Sequence, residues 1–367
     1  MSIGLLLLIL SSGLSMAAEV PSLEIGAKAP DFSLPGIDGK AHSLHDYDDA
    51  EILVIIFTCN HCPTAQAYEE RIKKLVSDYQ PKGVTFVAIS PNDPQAVRLD
   101  EMGYTDLNDD FESIKIRAKD KGFNFPYLYD GETQEVSHKY GPVATPHVFV
   151  FDKDRMLRYR GRVDDSEKPA GIKVQDTRNA IDALLAGKPV PVTTTKTFGC
   201  SIKWADKRSG VAQAFEQWAK EPVTLEEKSH ADIADIIKND TPNYILFNAW
   251  ATWCGPCVAE FPTLVEVNRM YRNRDFQLIT LCVDDLKNKE KALAFLQKQQ
   301  ASMTNYIINA DDIYKLIEIV DPEWQGAIPH TLLIAPGGEV VYRHNGMITD
   351  PLELKKQIVN KLGRVYK

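Results

Sequence analysis

The sequence has few cysteines and no long apolar run, and each of these absences argues against one class of protein. Six cysteines occur in 367 residues, whereas a small secreted scaffold held together by disulfides is far richer in cysteine. The apolar run at residues 3–10 is shorter than the roughly 20 residues that cross a membrane as a helix. A disulfide-stapled scaffold and an uncleaved membrane anchor are therefore both disfavoured.

Positive charge is also in short supply. Lys and Arg number 42 against 51 Asp and Glu, which gives a formal net charge of −9 at pH 7. This balance argues against nucleic acid or an anionic membrane as the main partner. The remaining composition, 44% hydrophobic and 25% charged, is that of a soluble globular protein rather than a disordered one. The length favours two domains.

The N-terminus predicts export. The short apolar run at 3–10 is followed by small residues up to Ala18, and no Lys or Arg precedes it. An apolar segment followed by small residues is typical of a secretory signal, with cleavage expected after Ala17 or Ala18. Residues 1–18 are therefore predicted to be a signal peptide, and the mature protein is expected to be periplasmic or secreted. Membrane contact is expected only if this segment stays uncleaved.

Four of the six cysteines form two C-x-x-C pairs, Cys59 with Cys62 and Cys254 with Cys257. Each pair follows an apolar run and opens a helical pattern. In the second pair this junction places the first sulfur near a helix N-terminus, where a thiolate is favoured. The bare spacing also fits half of a zinc site, but the flanking W-C-G-P-C at residues 253–257 favours redox chemistry.

Longer stretches around both pairs carry a family resemblance. W-A-T-W-C-G-P-C-x-x-E-F-P at residues 250–262 resembles the TlpA-like, extracytoplasmic branch of the thioredoxin superfamily. A-P-D-F-S-L-P-G at 29–36 and Y-G-P-V-A-T-P at 140–146 resemble its redoxin (AhpC/TSA-like) branch. The resemblance implies an α/β fold in which a central mixed β-sheet is flanked by helices.

An internal repeat predicts two such domains in tandem, because each half runs through a strand, a C-x-x-C helix, another strand, a Pro-His pair and a hairpin. The predicted boundaries are 19–186 for the first domain and 223–367 for the second. Residues 187–222, which are rich in Pro and Thr at their start and include Cys200, are predicted to be a linker. Apolar runs predict strands at 52–57, 84–89, 148–151, 157–160, 244–250, 276–283, 331–335 and 339–343.

The resemblance implies thiol–disulfide exchange in the second domain. Cys254 would attack a substrate disulfide, and Cys257 would resolve the mixed disulfide. Glu260, on the same helical face, would relay a proton, and burial would raise its pKa. Thioredoxins proper carry an aspartate six residues before the first cysteine; here Asn248 stands in that position, so we expect Glu260 to act as the sole relay.

The same resemblance implies a substrate-binding surface beside each cysteine pair. In the second domain it consists of Trp253, Ile328 and Pro329, the last being the counterpart of the family's cis-proline. In the first domain Thr145 and Pro146 occupy the matching place. The differing residues before the two prolines predict different reduction potentials for the two sites.

The first pair has weaker support as an exchange site. His61, just before Cys62, can stabilise Cys59 as a thiolate. However, Ala65 stands where the second domain has Glu260, so the relay acid is missing. We expect Cys59 and Cys62 to form a second, catalytic redox pair, with a static disulfide as the bland alternative.

Two further hypotheses for the first domain stay open. A peroxiredoxin-like peroxidase at Cys59 is disfavoured, because Thr58 is adjacent to the cysteine and the P-x-x-x-T-x-x-C pattern is absent. A copper-binding or adaptor role would use Cys59, Cys62 and a distant histidine such as His138 or His147.

The two remaining cysteines are single. Cys282 lies in an apolar run and is predicted to be a buried core thiol. Three roles stay open for Cys200: it resolves a sulfenate or disulfide in the first domain, passes electrons between the domains, or only packs. Exchange needs no cofactor or metal, since the electrons reside in cysteines; the expected partners are protein disulfide substrates and an upstream thiol donor.

Overall fold

The computed structural model describes residues 20–310 and 312–366. The predicted signal peptide, residues 1–18, lies outside the described residues. Among the described residues, no helix is both long enough and apolar enough to span a membrane.

The first half builds a five-stranded mixed sheet in the order β5-β4-β3-β7-β8. Its elements are β1 (Ser33–Pro35), β2 (Ala41–Ser43), β3 (Ile52–Phe57), α1 (Pro63–Tyr79), β4 (Val84–Ser90), α2 (Phe111–Lys121), β5 (Tyr127–Tyr129), α3 (Glu135–Tyr140), β6 (Ala144–Thr145), β7 (His147–Phe151), β8 (Leu157–Gly161) and α4 (Asp176–Leu185). Strand β3 is buried at every position, because a central strand covered on both faces needs a continuous apolar run. Strands β3, β4 and β5 run parallel, and β7 runs antiparallel to β3.

The second half repeats this plan with one added edge strand, in the order β10-β13-β12-β11-β14-β15. Between the halves lie β9 (Cys200–Ser201) and α5 (Arg208–Trp218). The second half then contains β10 (Glu226–Lys228), α6 (His230–Lys238), β11 (Tyr244–Trp250), α7 (Gly255–Tyr271), β12 (Phe276–Cys282), α8 (Lys289–Lys298), β13 (Thr304–Ile308), α9 (Ile313–Val320), β14 (His330–Ile334), β15 (Val340–Asn345) and α10 (Pro351–Leu362). The predicted α/β class and tandem mixed sheets are confirmed.

The two halves share a packed boundary. Val97 and Met102, from the loop after β4, are buried in the apolar cluster around α7. The Tyr271 hydroxyl donates a hydrogen bond to the Thr105 carbonyl at 2.8 Å. Arg364, beyond α10, forms an ion pair with Asp106 in the same loop. The polar excursion after β4 therefore serves as a contact surface for the second half.

Proline sets where each C-x-x-C helix begins. In α7 Pro256 lies between the cysteines, and Cys254 is the N-cap residue. In α1 Pro63 follows the pair as the first helical residue, and Cys62 is the N-cap residue. Proline is favoured in the first turn because the N–H that it lacks has no intrahelical partner there. The two pairs therefore place different sulfurs at the positive end of the helix.

Candidate active sites

The second-domain site is a disulfide at the start of α7. Cys254 and Cys257 are bonded to each other, and both side chains are largely buried. As the N-cap residue, Cys254 accepts a hydrogen bond from the Cys257 backbone N–H at 3.2 Å. Once the bond is reduced, the same N–H and the helix dipole favour a thiolate on Cys254.

A cis peptide bond and an exposed indole border this disulfide. Ile328 and Pro329 are joined in the cis form, and the Ile328 carbonyl oxygen lies 3.6 Å from Cys254 Sγ. Trp253, immediately before the disulfide, is 67% exposed. Exposed aromatic rings are frequent where proteins bind partners, so this corner suits contact with another chain.

Glu260 lies in α7 itself, three residues beyond Cys257, and is 3% exposed. Its carboxylate accepts hydrogen bonds from the Ile348 backbone N–H at 2.8 Å and from Asn248 Nδ2 at 3.0 Å. Burial raises the pKa of Glu260, although both hydrogen bonds oppose the shift. Asn248 is thus the direct partner of Glu260, a contact that sequence reasoning missed.

The first-domain site holds two free and buried thiols. Cys59 Sγ lies 3.1 Å from the Thr145 hydroxyl. Cys62 Sγ accepts hydrogen bonds from the backbone N–H groups of Ala65 at 3.4 Å and of Cys200 at 3.2 Å. Thr145 precedes Pro146, and the peptide bond between them is cis. Each predicted substrate-binding proline therefore lies beside its own cysteine pair.

A buried ion pair supports this site from below. His61 Nδ1 lies 2.5 Å from Asp109 Oδ2, and both side chains are within 1% of full burial. The carboxylate of Asp109 also accepts hydrogen bonds from the backbone N–H groups of Asn60 and His61 and from Asn92 Nδ2. Burial opposes both charges, but the attraction between them outweighs it, so the pKa of His61 is raised and that of Asp109 is lowered.

The pKa shifts in the first site favour charge on Cys62 rather than on Cys59, the cysteine that His61 is expected to stabilise as a thiolate. Burial raises the pKa of Cys59, and its hydrogen bond to Cys62 adds to the shift. Burial opposes charge on Cys62 as well, yet hydrogen bonds from Cys200 and Cys59 and the positive His61 bring its pKa well below the usual value. Because α1 starts at Pro63, Cys62 is its N-cap residue, and the hydrogen bond from the Ala65 N–H also lowers the pKa of Cys62.

The distant histidines of the copper hypothesis are engaged elsewhere. His138 stacks on Trp204 with 4.4 Å between ring centroids, and His147 Nδ1 accepts a hydrogen bond from the Val143 N–H. Donor atoms of Cys59, His61 and Asp109 do lie within 4.8 Å of one another. Of these three, His61 and Asp109 bond to each other, whereas Cys59 Sγ faces the Thr145 hydroxyl and His61 Nε2 has no hydrogen-bond partner among the described residues.

The two single cysteines have different surroundings. Cys282 is fully buried in β12, as predicted. Cys200 is partly exposed and packs against Cys59, Cys62 and Ala65. Cys200 is more than a hundred residues from the first pair in the sequence. The only feature of the sequence that marked it was its position as a single cysteine in the segment between the two halves.

The chain belongs to the AhpC/TSA family, whose model matches residues 25–160 and 205–343. It is 27% identical over 160 residues to thiol-disulfide oxidoreductase ResA of Geobacillus thermodenitrificans, which covers 42% of this chain and 80% of that protein. It is 37% identical over 211 residues to a bifunctional thioredoxin reductase/thioredoxin of Mycobacterium leprae, covering 53% of this chain and 44% of that protein. A thiol:disulfide interchange protein DsbE homolog of Paracoccus denitrificans is 32% identical over 113 residues, 29% of this chain and 52% of that protein. The chain thus spans about half the length of the last two relatives.

Two solved structures each match about half of the chain. An uncharacterized conserved protein from Geobacillus kaustophilus shares 42% identity with a TM-score of 0.44 and covers 49% of this chain and 92% of that chain. A hypothetical protein from Sinorhizobium meliloti shares 36% identity with a TM-score of 0.45 and covers 50% of this chain and 97% of that chain. Family and fold together define a thioredoxin-like oxidoreductase with redoxin and TlpA-like character.

Proposed function

We propose that this protein is an extracytoplasmic thiol–disulfide oxidoreductase that reduces protein disulfides at Cys254 and Cys257. A second redox site uses Cys59 and Cys62. The observation that carries the proposal is the disulfide at the N-terminus of α7, bordered by Pro329 and exposed Trp253. Relatives named thiol-disulfide oxidoreductase and thiol:disulfide interchange protein support it.

Substrate reduction takes two exchange steps once the site itself has been reduced. An upstream thiol donor first reduces the Cys254–Cys257 bond. Cys254 thiolate then attacks one sulfur of the substrate disulfide, and the other substrate sulfur leaves as a thiolate. Cys257 gives up its proton and attacks the Cys254 sulfur, which releases the second substrate thiolate and restores the disulfide. Two electrons pass to the substrate, and the two released sulfurs take up two protons.

Two groups assist these steps. Glu260, buried three residues beyond Cys257 in α7, receives the proton of Cys257, because a carboxylate with a raised pKa is a better base than an exposed one. Trp253, Ile328 and Pro329 form the surface on which an extended substrate chain lies.

The export proposal rests on the N-terminal sequence pattern. Protein recovered from an envelope or culture fraction should begin after Ala17 or Ala18 when its N-terminus is sequenced. Recovery of the whole chain, beginning at Met1, from the cytoplasmic fraction would contradict it.

Equilibration with glutathione buffers distinguishes an exchange site from a static disulfide. Across a series of thiol-to-disulfide ratios, Cys254 and Cys257 should pass together from bonded to alkylatable. The transition should follow a two-electron couple, for which a tenfold change in the ratio of reduced to oxidised site corresponds to about 30 mV. Buried Cys282 serves as the internal control and should stay unlabelled. A Cys254–Cys257 bond that persists at every ratio would defeat the proposal.

Glu260→Gln should change how stability depends on pH. Because burial raises the pKa of Glu260 above its ordinary 4.5, the stability that its protonated form contributes is full below pH 4.5 and is lost as the pH rises through the raised pKa. Glutamine stays neutral at every pH. Above the raised pKa, the free energy of unfolding of the variant should therefore rise relative to that of the wild type, by about 1.4 kcal/mol for each tenfold increase that folding causes in the proton affinity of Glu260. Urea unfolding at a series of pH values measures this difference.

The proposed relay role of Glu260 predicts a second effect of the same substitution, on activity. Glu260→Gln should lower turnover by about 10²-fold and remove one ionisation from its pH profile. The control is Glu318→Gln, on the exposed face of α9, which should alter neither quantity. Unchanged turnover in Glu260→Gln would reduce Glu260 to a structural residue.

A further inference from the structure

A strand from the connecting segment lies against the first redox site. Strand β9 pairs antiparallel with β6, and Cys200 stands opposite Thr145. Thr145 is also the residue that contacts both sulfurs of the pair, with its hydroxyl 3.1 Å from Cys59 Sγ and its carbonyl 3.3 Å from Cys62 Sγ. An extended segment carrying a cysteine therefore occupies the edge at which an extended outside chain would add to Thr145.

The backbone is shaped to let this strand approach. Gly199 has φ +138, and a Cβ at this position would lie 2.0 Å from the Thr145 carbonyl oxygen. Glycine alone accepts both that conformation and that contact. The close approach then allows the Cys200 N–H to donate its hydrogen bond to Cys62 Sγ at 3.2 Å.

Of the three clustered thiols, Cys200 is the one that solvent reaches. Cys59 and Cys62 are 4% and 0% exposed, whereas Cys200 is partly exposed and lines a cavity of about 280 Å³. Lys203 and Tyr104 line the same cavity. A small disulfide entering there would meet the sulfur of Cys200 before the buried pair.

The second domain lacks such a cover among the described residues. Ile328 corresponds to Thr145 in the repeat, yet β14 begins only at His330 and no strand of the described chain pairs with Ile328. Trp253 beside it is exposed. The same fold thus presents one open site and one site closed by its own chain.

We propose that β9 is a tethered partner strand of the first redox site, in which Cys200 forms a disulfide with Cys62 and β9 keeps the Thr145 edge closed to outside chains. This proposal rests on the redox role proposed for Cys59 and Cys62, and it is independent of the chemistry at Cys254.

The exchange needs a small-molecule disulfide as oxidant. Cys200 passes its proton to the Cys62 thiolate and attacks one sulfur of that disulfide. The other sulfur leaves as a thiolate and takes the proton from Cys62, which is then a thiolate again. Cys62 then attacks the Cys200 sulfur, which forms the Cys62–Cys200 bond and releases the second sulfur as a thiolate. Cys59 can next give up its proton and attack Cys62, which moves the bond to Cys59–Cys62 and releases Cys200 as a thiolate that takes up this proton.

Oxidised glutathione added to the reduced full-length Cys59→Ser chain tests the proposal. After acid quenching, alkylation and peptide mapping, most chains should contain a Cys62–Cys200 linked peptide. An alkylatable Cys200 with no such peptide would overturn the proposal. If the wild-type chain then forms Cys59–Cys62 alone, the redox role of that pair survives; if it forms no first-domain disulfide, that role falls as well.

A pair of glycine variants tests the seating of the strand. Gly199→Ala should lower the yield of the Cys62–Cys200 peptide at least about tenfold, the scale of one strained residue, and should speed alkylation of Cys200. Gly187→Ala is the matched control, because Gly187 also has a positive φ but nothing lies within 4 Å of its added Cβ. Urea unfolding of the two variants checks that the first domain is folded in both. Equal yields from the two variants would contradict the role of β9.

Discussion

Cys254→Ser should lower the reduction of a model protein disulfide such as insulin by at least about 10³-fold, the scale seen when a nucleophile is removed. A serine hydroxyl stays protonated at neutral pH even at a helix N-terminus, so the N–H of Cys257 that favours a thiolate on Cys254 has no charge to stabilise. The release of insulin B chain, followed as turbidity with a thiol donor in excess, measures the loss.

Cys59→Ser is the matched control for this experiment. It removes the first cysteine of the other pair, whose site is covered by β9, and it should keep most of the wild-type rate. Wild-type turnover in Cys254→Ser together with a loss in Cys59→Ser would reverse the assignment of the two domains.

Asp109→Ala should destabilise the first domain by about 3–5 kcal/mol, the usual result of removing one partner of a buried ion pair. The substitution leaves His61 buried without its counter-ion, and it also removes the acceptor for the backbone N–H groups of Asn60 and His61 and for Asn92 Nδ2. Urea unfolding at about pH 5.5 is the measurement. The pair contributes fully between the ordinary pKa values of 3.8 and 6.5, and its contribution is lost as the pH rises through the raised pKa of His61 or falls through the lowered pKa of Asp109.

The milder Asp109→Asn separates stability from thiol chemistry. Without the carboxylate, the pKa of His61 should fall, and the pKa of Cys62 should rise because it loses a neighbouring cation. The midpoint of the thiolate titration, followed by absorbance at about 240 nm, should therefore move to higher pH. Asp164→Ala is the control: it breaks the buried pair of Asp164 with Arg71 and should lower stability without moving that titration. An unshifted thiolate titration in Asp109→Asn would contradict the electrostatic account of the first site.

The sequence predicted the central strands well, and the reason is physical. Strands β3 and β11 match their predicted bounds at 52–57 and 244–250, because strands buried on both faces are nearly continuous apolar runs. Strands β10 and β13 escaped prediction. Edge strand β10 reads Glu-Glu-Lys and is mostly exposed, and β13 alternates buried with partly exposed residues, so neither stands out as an apolar run.

The candidate sites were predictable only where they are local in sequence. The Cys254–Cys257 pair and Glu260 lie within one helix and follow from its motif. Asp109 reaches His61 from a loop 48 residues away, and Cys200 reaches Cys62 across 138 residues. Such contacts depend on how loops return to the sheet, which residue spacing does not encode.

One expectation about the first site can be refined from the sequence itself. The position of proline, inside the second pair as Pro256 and after the first pair as Pro63, determines which cysteine caps the helix. This difference is visible in the sequence and predicts Cys62, rather than Cys59, as the thiolate of the first site.

Trapping with Cys257→Ser tests the central claim, exchange through Cys254, most directly. Without its resolving partner, reduced Cys254 should attack a protein disulfide and stay bound to it, because no second thiol releases the product. Peptide mapping of the covalent complex should find the substrate on Cys254 in nearly stoichiometric yield, and none when Cys254 is also changed to serine. A complex joined through Cys59 or Cys200, or no complex at all, would contradict the account.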